Sequence, residues 1–456
     1  MYSLYRPLIA TAVILAFLIA VDPAAAASEF VPAGPEFQVN TYTTGDQGNP
    51  SIAAAANGDF VIAWQSISQD GDDNGVFAQR YASDGSAQGP EFQVNTYTTD
   101  DQESPSIAAA ANGDFVIAWD SDGQDGDYRG VFAQRHASDG SAQGPEFQVN
   151  TYTTDDQERP SIAAAANGDF VIAWHSRGQD GDYRGVFAQR YASDGSAQGA
   201  EFQVNSYTTG DQESPSIAAA ANGDFVIAWQ SISQDGDDNG VFAQRYASDG
   251  TAQGAEFQVN THTENSQNDP DVAAGPDGDF VIAWRSTDQD GDMVGVFAQR
   301  FASDGTAQGA EFQVNSYTTG YQSDPDVAVG SDGDFIIAWR SDDQDGDREG
   351  VFAQCYASDG TAQGAEFQVN TYTTGNQNDP DVSVGPDDDL VIVWQSRGQD
   401  GGGRGIFVQR YLGGRAEAVV PAPTVSGAAL VAVVTALSGI GGLGLWRRHR
   451  EGGAGA

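Results

Sequence analysis

Lysine is absent from this chain of 456 residues, and there is only one cysteine, Cys355. The 20 arginines stand against 65 aspartates and glutamates, which gives a net charge of −45. Because nucleic-acid binding needs a positive surface to meet the phosphates, we expect no nucleic-acid partner. A single cysteine also excludes an internal disulfide, so the fold has to be stabilised by packing.

Charged residues are also missing from an apolar stretch near each end of the chain. The first stretch, Leu8 to Val21, follows Arg6 and precedes a run of alanines that ends at Ala27. Its 14 residues are fewer than the roughly 20 that a membrane-spanning helix needs. A short apolar run before small residues is typical of a signal peptide. The sequence therefore predicts a cleaved signal peptide at 1–27 and a short linker at 28–35.

The second stretch, Val425 to Trp446, has 22 residues and is followed directly by a basic cluster at 447–450. This length suffices for a hydrocarbon core of about 30 Å, and the arginines favour a cytoplasmic tail at 447–456. We expect one transmembrane helix at 425–446. The protein would then be exported and held at the cell surface or membrane, with its body outside the cytoplasm.

The linker at 413–424 contains Val420-Pro421-Ala422-Pro423, just before the apolar stretch. A motif, an apolar helix and a basic end in this order resemble the PEP-CTERM type of bacterial sorting signal. Ala422 stands where that motif has glutamate. The resemblance implies cleavage near the motif and transfer to the cell surface.

The body of the chain is built from one repeated unit. Glu-Phe-Gln-Val-Asn recurs every 55 residues, and it begins at Glu36, Glu91, Glu146, Glu201, Glu256, Glu311 and Glu366. In the first unit we predict strands at 36–43, 51–56, 59–66 and 75–81, with a two-residue hairpin turn at Asn57-Gly58. Residues 36–412 therefore contain seven antiparallel four-stranded units.

The strand patterns predict how the units pack. Phe60, Ile62 and Trp64 point to one face of their strand, while Val61 and Ala63 point to the other. A strand that is apolar on both faces is typical of a sheet covered on both sides. The alanine-rich run at 51–56 suits an innermost strand near an axis. The N-terminal outer strand would complete the last unit, so we predict an all-β seven-bladed propeller, with an open β-solenoid as the alternative.

The units lack the signatures of WD40 and kelch blades. With their Asp-Gly loops they resemble the repeats of large bacterial extracellular proteins and, more distantly, FG-GAP blades of the integrin type. This resemblance covers residues 36–411, and it implies surface display or adhesion.

Six units carry an Asp-Gly-Asp loop, and the seventh has Asp400-Gly-Gly. Two carboxylates around a sharply turning glycine resemble part of a calcium loop. Ordinary turn chemistry of Asp-Gly is the alternative, and no glutamate closes the loop as in an EF-hand. The candidate calcium ligands are Asp70, Asp72, Asp125, Asp127, Asp180, Asp182, Asp235, Asp237, Asp290, Asp292, Asp345 and Asp347.

Residues that break the repeat are the place to look for catalysis. His136, His175 and His262 occupy three non-equivalent positions and form no pattern of nucleophile and base. We therefore predict that the protein is not an enzyme. The expected function is a non-catalytic surface module that presents acidic loops to an extracellular polymer, a cell surface or another copy. The alternative is a hydrolase or lyase that acts on an extracellular polysaccharide at the central cleft.

Overall fold

The computed structural model describes residues 31–413, and these residues form a seven-bladed β-propeller. Each blade is a four-stranded antiparallel sheet, and blade 7 has one further short strand. The predicted all-β propeller is confirmed, and the open solenoid is wrong. The predicted signal peptide at 1–27 and membrane helix at 425–446 lie outside the described residues. Within 31–413 no helix is long and apolar enough to cross a bilayer.

The strands of blades 1 to 7 occupy equivalent positions. The innermost strands are β3 (Gln47–Ala54), β7 (Gln102–Ala109), β11 (Gln157–Ala164), β15 (Gln212–Ala219), β19 (Gln267–Ala274), β23 (Gln322–Val329) and β27 (Gln377–Val384). The second strands are β4 (Phe60–Ile67), β8 (Phe115–Asp122), β12 (Phe170–Arg177), β16 (Phe225–Ile232), β20 (Phe280–Thr287), β24 (Phe335–Asp342) and β28 (Leu390–Arg397).

The third strands are β5 (Asn74–Tyr81), β9 (Arg129–His136), β13 (Arg184–Tyr191), β17 (Asn239–Tyr246), β21 (Val294–Phe301), β25 (Glu349–Tyr356) and β29 (Arg404–Leu412). The outer strands of blades 1 to 6 are β6 (Phe92–Gln93), β10 (Phe147–Gln148), β14 (Phe202–Gln203), β18 (Phe257–Gln258), β22 (Phe312–Gln313) and β26 (Ala362–Gln368).

The N-terminal strands close the ring. Strand β2 (Phe37–Gln38) pairs with β29 and so serves as the outer strand of blade 7, as the sequence predicted. Strand β1 (Val31–Pro32) pairs with the end of β29. On the inner side, the Ile52 amide of blade 1 donates a hydrogen bond to Asp381 of blade 7 at 3.2 Å. Blades 1 and 7 are therefore joined at both the outer and the inner radius, which leaves no open array.

Each blade places a large aromatic face against the small face of the preceding blade. Between blades 2 and 3, Trp174 and Ile172 of blade 3 pack on Ala118 and Ala133 of blade 2. Seven such clusters occur among the described residues, one at each contact between blades. All seven tryptophans in them are fully buried. Large-on-small packing lets the blades meet at the density of a protein core.

Arginine side chains link neighbouring blades on the face of the propeller that carries the turns 57–58 and 82–90 and their equivalents. This face is here called the tight-turn face. Arg80 of blade 1 donates to the backbone carbonyl of Asp139 in the turn of blade 2 at 2.6 Å, and Arg410 of blade 7 reaches Asp84 of blade 1 at the same distance. Backbone oxygens, not carboxylates, accept these bonds. Cys355 replaces the arginine in blade 6, and the unit after it lacks the Ser-Asp-Gly sequence that forms this turn in the other blades.

Three local predictions are wrong in detail. The outer strand predicted at 36–43 covers only Phe37–Gln38, the two residues that pair with β29. The innermost strand starts at Gln47, because a bulge between Gly48 and Ser51 accommodates Pro50 inside the ladder. The hairpin after it has three residues between Ala55 and Asp59, which are joined by a 2.8 Å hydrogen bond. Only Gly58 in this turn has a positive φ, of 82°. It is therefore the type I turn with a left-handed glycine.

Replacing Trp174 by alanine should lower the free energy of unfolding by about 3 to 5 kcal/mol, because it leaves a cavity between blades 2 and 3. The control is Tyr183→Ala in the same blade, whose ring is exposed and whose loss should change stability by less than about 0.5 kcal/mol. Urea unfolding of both variants measures the difference. Equal midpoints would contradict the packing described.

Candidate active site

The repeats differ most where the innermost and second strands reach the loop face, which carries segments 44–46 and 68–73 and their equivalents. Position 48 is Gly48, Glu103, Glu158, Glu213, Asn268, Ser323 or Asn378 in successive blades. Position 65, its direct partner across the ladder, is Gln65, Asp120, His175, Gln230, Arg285, Arg340 or Gln395. These non-equivalent side chains lie where neighbouring blades meet, at the loop-face end of the innermost strands, and this region is here called the channel mouth.

The scaffold of the channel mouth is regular even though its side chains are not. The amide of Ser104 donates to Gln65 of the preceding blade at 3.1 Å, and that of Arg159 donates to Asp120 at 3.3 Å. The residues at position 49 have a left-handed backbone at the bulge, with a φ of 52° at Arg159. The bulge therefore fixes where the variable side chains begin.

One guanidinium joins three carboxyl groups of blades 2 and 3. Arg129 at the start of β9 approaches Glu103 at 2.9 Å through Nη2. Its Nη1 approaches Asp120 at 3.1 Å and Glu158 at 3.7 Å. Asp120 is buried behind this group, whereas the side chains of Glu103 and Glu158 are 21% and 19% exposed. Glu103 and Glu158 are thus the two carboxyl groups that solvent or a ligand can reach.

His175 of blade 3 holds Glu158 from the other side. The Ser214 amide donates to His175 Nδ1 at 3.5 Å, which leaves the ring proton on Nε2, 3.3 Å from Glu158 Oε2. Burial lowers the pKa of His175, so the neutral ring is the donor. Arg184 lies 3.7 Å from Glu158 and 3.2 Å from Glu213, which extends the cluster to blade 4.

The pKa values of Glu103 and Glu158 are shifted in opposite directions. Burial raises the pKa of Glu103, against the opposing charge of Arg129. The hydrogen bond from His175 lowers the pKa of Glu158, helped by the charges of Arg129 and Arg184. Burial raises the pKa of Asp120 to about 7. A carboxyl group with a raised pKa beside one with a lowered pKa is the arrangement that enzymes use for an acid and a base.

Blades 5 to 7 make the other side of the channel acidic. At position 49 they carry Asp269, Asp324 and Asp379, paired with Arg285 at 2.8 Å, Arg340 at 2.7 Å and Gln395 at 2.6 Å respectively. Deeper in the channel, position 51 is serine in blades 1 to 4 and aspartate in blades 5 to 7, at Asp271, Asp326 and Asp381.

The deeper aspartates link neighbouring blades. Asp271 accepts a hydrogen bond from the Val327 amide at 2.8 Å, and Asp326 accepts one from the Val382 amide at 2.7 Å. The serines make the same contact, for example Ser51 with the Ile107 amide at 3.3 Å. Burial raises the pKa of Asp271 to about 6 and that of Asp381 to about 7, and it also raises that of Asp326.

The sequence analysis predicted neither the cluster around Arg129 nor the deeper aspartates, although the sequence carried a signal for each. Pro-Asp replaces Pro-Ser in units five to seven, and glutamate occupies position 48 only in units two to four. These changes recur at one repeat position, so they look like ordinary drift until the fold brings them to one axis.

The predicted calcium ligands are arranged one pair per blade. The first aspartate is half-buried: Asp70 Oδ1 accepts from the Asp72 amide at 3.4 Å, and its Oδ2 accepts from Asn95 at 3.3 Å. A methyl group on Gly75 would meet this carboxylate at 2.5 Å, so glycine is required there. The second aspartate is exposed, and Asp72 accepts from the Asp100 amide of the next blade at 3.3 Å. These bonds are ordinary Asp-Gly turn chemistry, which is the alternative to calcium binding.

The other five pairs occupy the same positions in their own blades, so the structure does not bring the twelve residues together. Among residues 31–413 there is no group of three or more histidine, cysteine, aspartate or glutamate side chains placed to hold a metal ion.

Grooves between blades open on the tight-turn face. One groove between blades 5 and 6 has a volume of about 590 Å³ and is lined by Arg300, Phe301 and the turn of blade 6. Equivalent residues line grooves between other blades. Because these residues repeat, the channel mouth is the better candidate for an asymmetric reaction centre.

The chain matches no protein-family model, and no curated protein matches it in sequence. Solved structures with a similar fold include a protein of unknown function from Dyadobacter fermentans, with 14% identity and a TM-score of 0.52 over 83% of this chain and 98% of that one. An ulvan lyase of polysaccharide lyase family PL25 has 11% identity and a TM-score of 0.51 over 83% and 96%. An α-L-arabinofuranosidase of Fusarium graminearum has 9% identity and a TM-score of 0.45 over 84% and 98%.

Two predictions from the sequence are corrected by these findings, namely the non-catalytic adhesion module and the absence of enzyme activity. Both depended on the idea that near-perfect repetition leaves no asymmetric centre. The fold is that of a known polysaccharide lyase, and the departures from the repeat converge on the channel mouth. The alternative, a hydrolase or lyase, is the better supported reading.

The deeper aspartates should make stability depend on pH. Their pKa values are raised in the folded chain, so the folded chain holds these protons more tightly. The stabilisation is complete below the ordinary pKa and is lost as pH rises through about 6 and 7. Replacing Asp271, Asp326 and Asp381 by serine, as in blades 1 to 4, should raise the melting temperature more at about pH 8 than at about pH 5. A constant difference between the two pH values, also in Asp326→Asn, contradicts this account.

Calcium binding by the Asp-Gly-Asp loops stays a prediction. If calcium binds the folded loops, millimolar calcium raises the melting temperature, since a ligand of the native state stabilises it. Magnesium at the same concentration serves as the control for ionic strength. A melting temperature that does not respond to calcium rules out the predicted sites.

Proposed function

We propose that the protein cleaves an extracellular polysaccharide, as a glycoside hydrolase or a lyase, at the channel mouth formed by blades 2 and 3. One observation carries the proposal. Glu103 and Glu158 lie on either side of the Arg129 guanidinium, and their pKa values are shifted in opposite directions. The shared propeller fold of an ulvan lyase supports it by analogy.

In hydrolysis, Glu103 is the general acid. Its raised pKa favours the protonated form, and this proton passes to the glycosidic oxygen as the bond from that oxygen to the anomeric carbon breaks. Glu158, whose pKa is lowered, is the ionised partner of this acid. It takes a proton from a water molecule whose oxygen forms the new bond, or it forms that bond itself before water releases the product.

Elimination would use the same two groups with a different first step. Glu158 would remove the proton next to a uronate carboxylate, and Glu103 would protonate the departing oxygen as the double bond forms. Arg129 and Arg184, both within 4 Å of Glu158, could neutralise the charge that develops on that carboxylate. Elimination leaves an unsaturated sugar that absorbs ultraviolet light, whereas hydrolysis does not.

His175 and Asp120 are positioning residues. His175 is only 2% exposed, so it acts through Glu158, whose ionised form its Nε2 proton stabilises. Asp120 holds both the Arg129 side chain and the Arg159 amide. Both residues fix the exposed carboxyl groups relative to each other, which is the requirement for concerted proton transfer.

Export and anchoring are part of the same proposal. An apolar stretch before Ala27 supports a signal peptide, and Val425 to Trp446 with the following arginines supports a membrane helix. The Val-Pro-Ala-Pro motif supports processing of the PEP-CTERM type.

Glu103→Gln and Glu158→Gln should each lower kcat by roughly 100-fold or more against a polysaccharide that the protein cleaves. The control is Glu349→Gln in blade 6, whose carboxylate pairs with Arg340 at 2.6 Å away from blades 2 and 3, and this variant should retain activity. Reducing-end release from a panel of neutral, uronate-containing and sulfated polysaccharides measures turnover, and ultraviolet absorbance of the products separates elimination from hydrolysis.

The pH profile gives a second readout. Loss of the acid should remove the alkaline limb of the profile, and loss of the base should remove the acidic limb. Equal losses in all three glutamine variants, or no cleavage of any polymer by the unaltered protein, would contradict the proposal.

A further inference from the structure

Arg159 is an arginine at the rim of the channel mouth without a carboxylate partner. It lies at the left-handed bulge position of β11, and its side chain is exposed. Its guanidinium donates to Ser214 Oγ at 3.0 Å, and it forms no ion pair with any carboxylate of residues 31–413. With one hydrogen bond made, most of the five N–H donors of the guanidinium remain for a ligand.

This arrangement is unusual because the chain has a large excess of carboxylates. The net charge is −45, yet the equivalent positions next to Arg159 are Ser104 and Ser214, and acidic residues at this position occur only in blades 5 to 7. The rim is therefore polarised, with a cation in blade 3 and carboxylates in blades 5 to 7. The net charge disfavours a polyanion over the surface as a whole, so an anionic ligand has to be bound locally, at this cation.

Exposed aromatic rings accompany the cation. Tyr128 and Tyr183 are 60% and 61% exposed, and they occupy the same position in blades 2 and 3. No other blade has an aromatic residue there. Each tyrosine precedes an arginine of the acid–base cluster, Arg129 or Arg184. Exposed tyrosine rings offer an apolar face and a polar edge, which suits contact with the C–H faces of sugars.

We infer that the polymer bound at the channel mouth is an anionic polysaccharide, whose carboxylate or sulfate groups are bound by Arg159 and whose sugar rings lie on Tyr128 and Tyr183. The inference rests on the proposed function and names its substrate class. Arginine binds carboxylate and sulfate by paired hydrogen bonds, and these charge-assisted bonds are stronger than those to neutral hydroxyl groups.

Calorimetric binding to the full chain tests the inference independently of turnover. The probes are a polyuronate, a sulfated neutral-sugar polymer and an uncharged polymer, each measured with wild type, Arg159→Gln, Arg159→Lys and Arg348→Gln. Arg348 is the matched control, since it is an exposed arginine of the same face in blade 6. We expect Arg159→Gln to lose roughly tenfold in affinity for an anionic polymer and Arg159→Lys to retain part of it.

The choice between polyuronate and sulfated polymer identifies which anionic group is recognised. Tyr128→Ala and Tyr183→Ala should each weaken binding of the same polymer. Binding of the anionic polymer without cleavage upholds this inference and contradicts the proposed function. Cleavage of the uncharged polymer alone upholds the proposed function and contradicts this inference. Equal losses in Arg159→Gln and Arg348→Gln, or no binding of any anionic polymer, overturn the inference.

Discussion

The contact between the aromatic face of one blade and the small face of the blade before it supports everything else in this protein. Trp174 on Ala118 and Ala133 is one of seven such contacts, and the contact between blades 7 and 1 is the last of them. A chain without disulfides can be stable in this way because each buried tryptophan removes a large apolar surface from water. Closing the ring through β2 then gives every blade two neighbours.

Ring closure also explains how identical units can create one unique place. Equivalent residues of the units lie around one axis, so a substitution in a single unit is brought next to different substitutions in its neighbours. The bulge and the inter-blade bonds hold the backbone of the channel mouth in the same form in each blade. The side chains of Glu103, Glu158 and Arg159 can therefore differ without cost to the scaffold. The tight-turn face keeps its repeated residues, because they tie the blades together.

Much of the architecture could be predicted from the sequence, since it depends on patterns that recur seven times. Alternation around Trp64 predicted the two apolar faces, and the unpaired strand at Glu36 predicted the closure. The start of the innermost strand at Gln47 could not be predicted, because Pro50 looks like a loop until the bulge is known. The cluster around Arg129 could not be predicted for a related reason. Glu103 and Arg129 are separated by 26 residues, and only the register of three paired strands brings them together. The histidines show no catalytic pattern in the sequence, because the one at the site, His175, acts by holding the Glu158 carboxylate.

The central claim is that the non-repeated residues of blades 2 and 3 form a site for a sugar polymer. The most direct test is a crystal structure of the protein with an oligosaccharide that it binds. The account predicts the sugar at the channel mouth, in contact with Glu103, Glu158 and Arg159. An oligosaccharide bound only in the grooves of the tight-turn face, beside the ladder arginines, would contradict it.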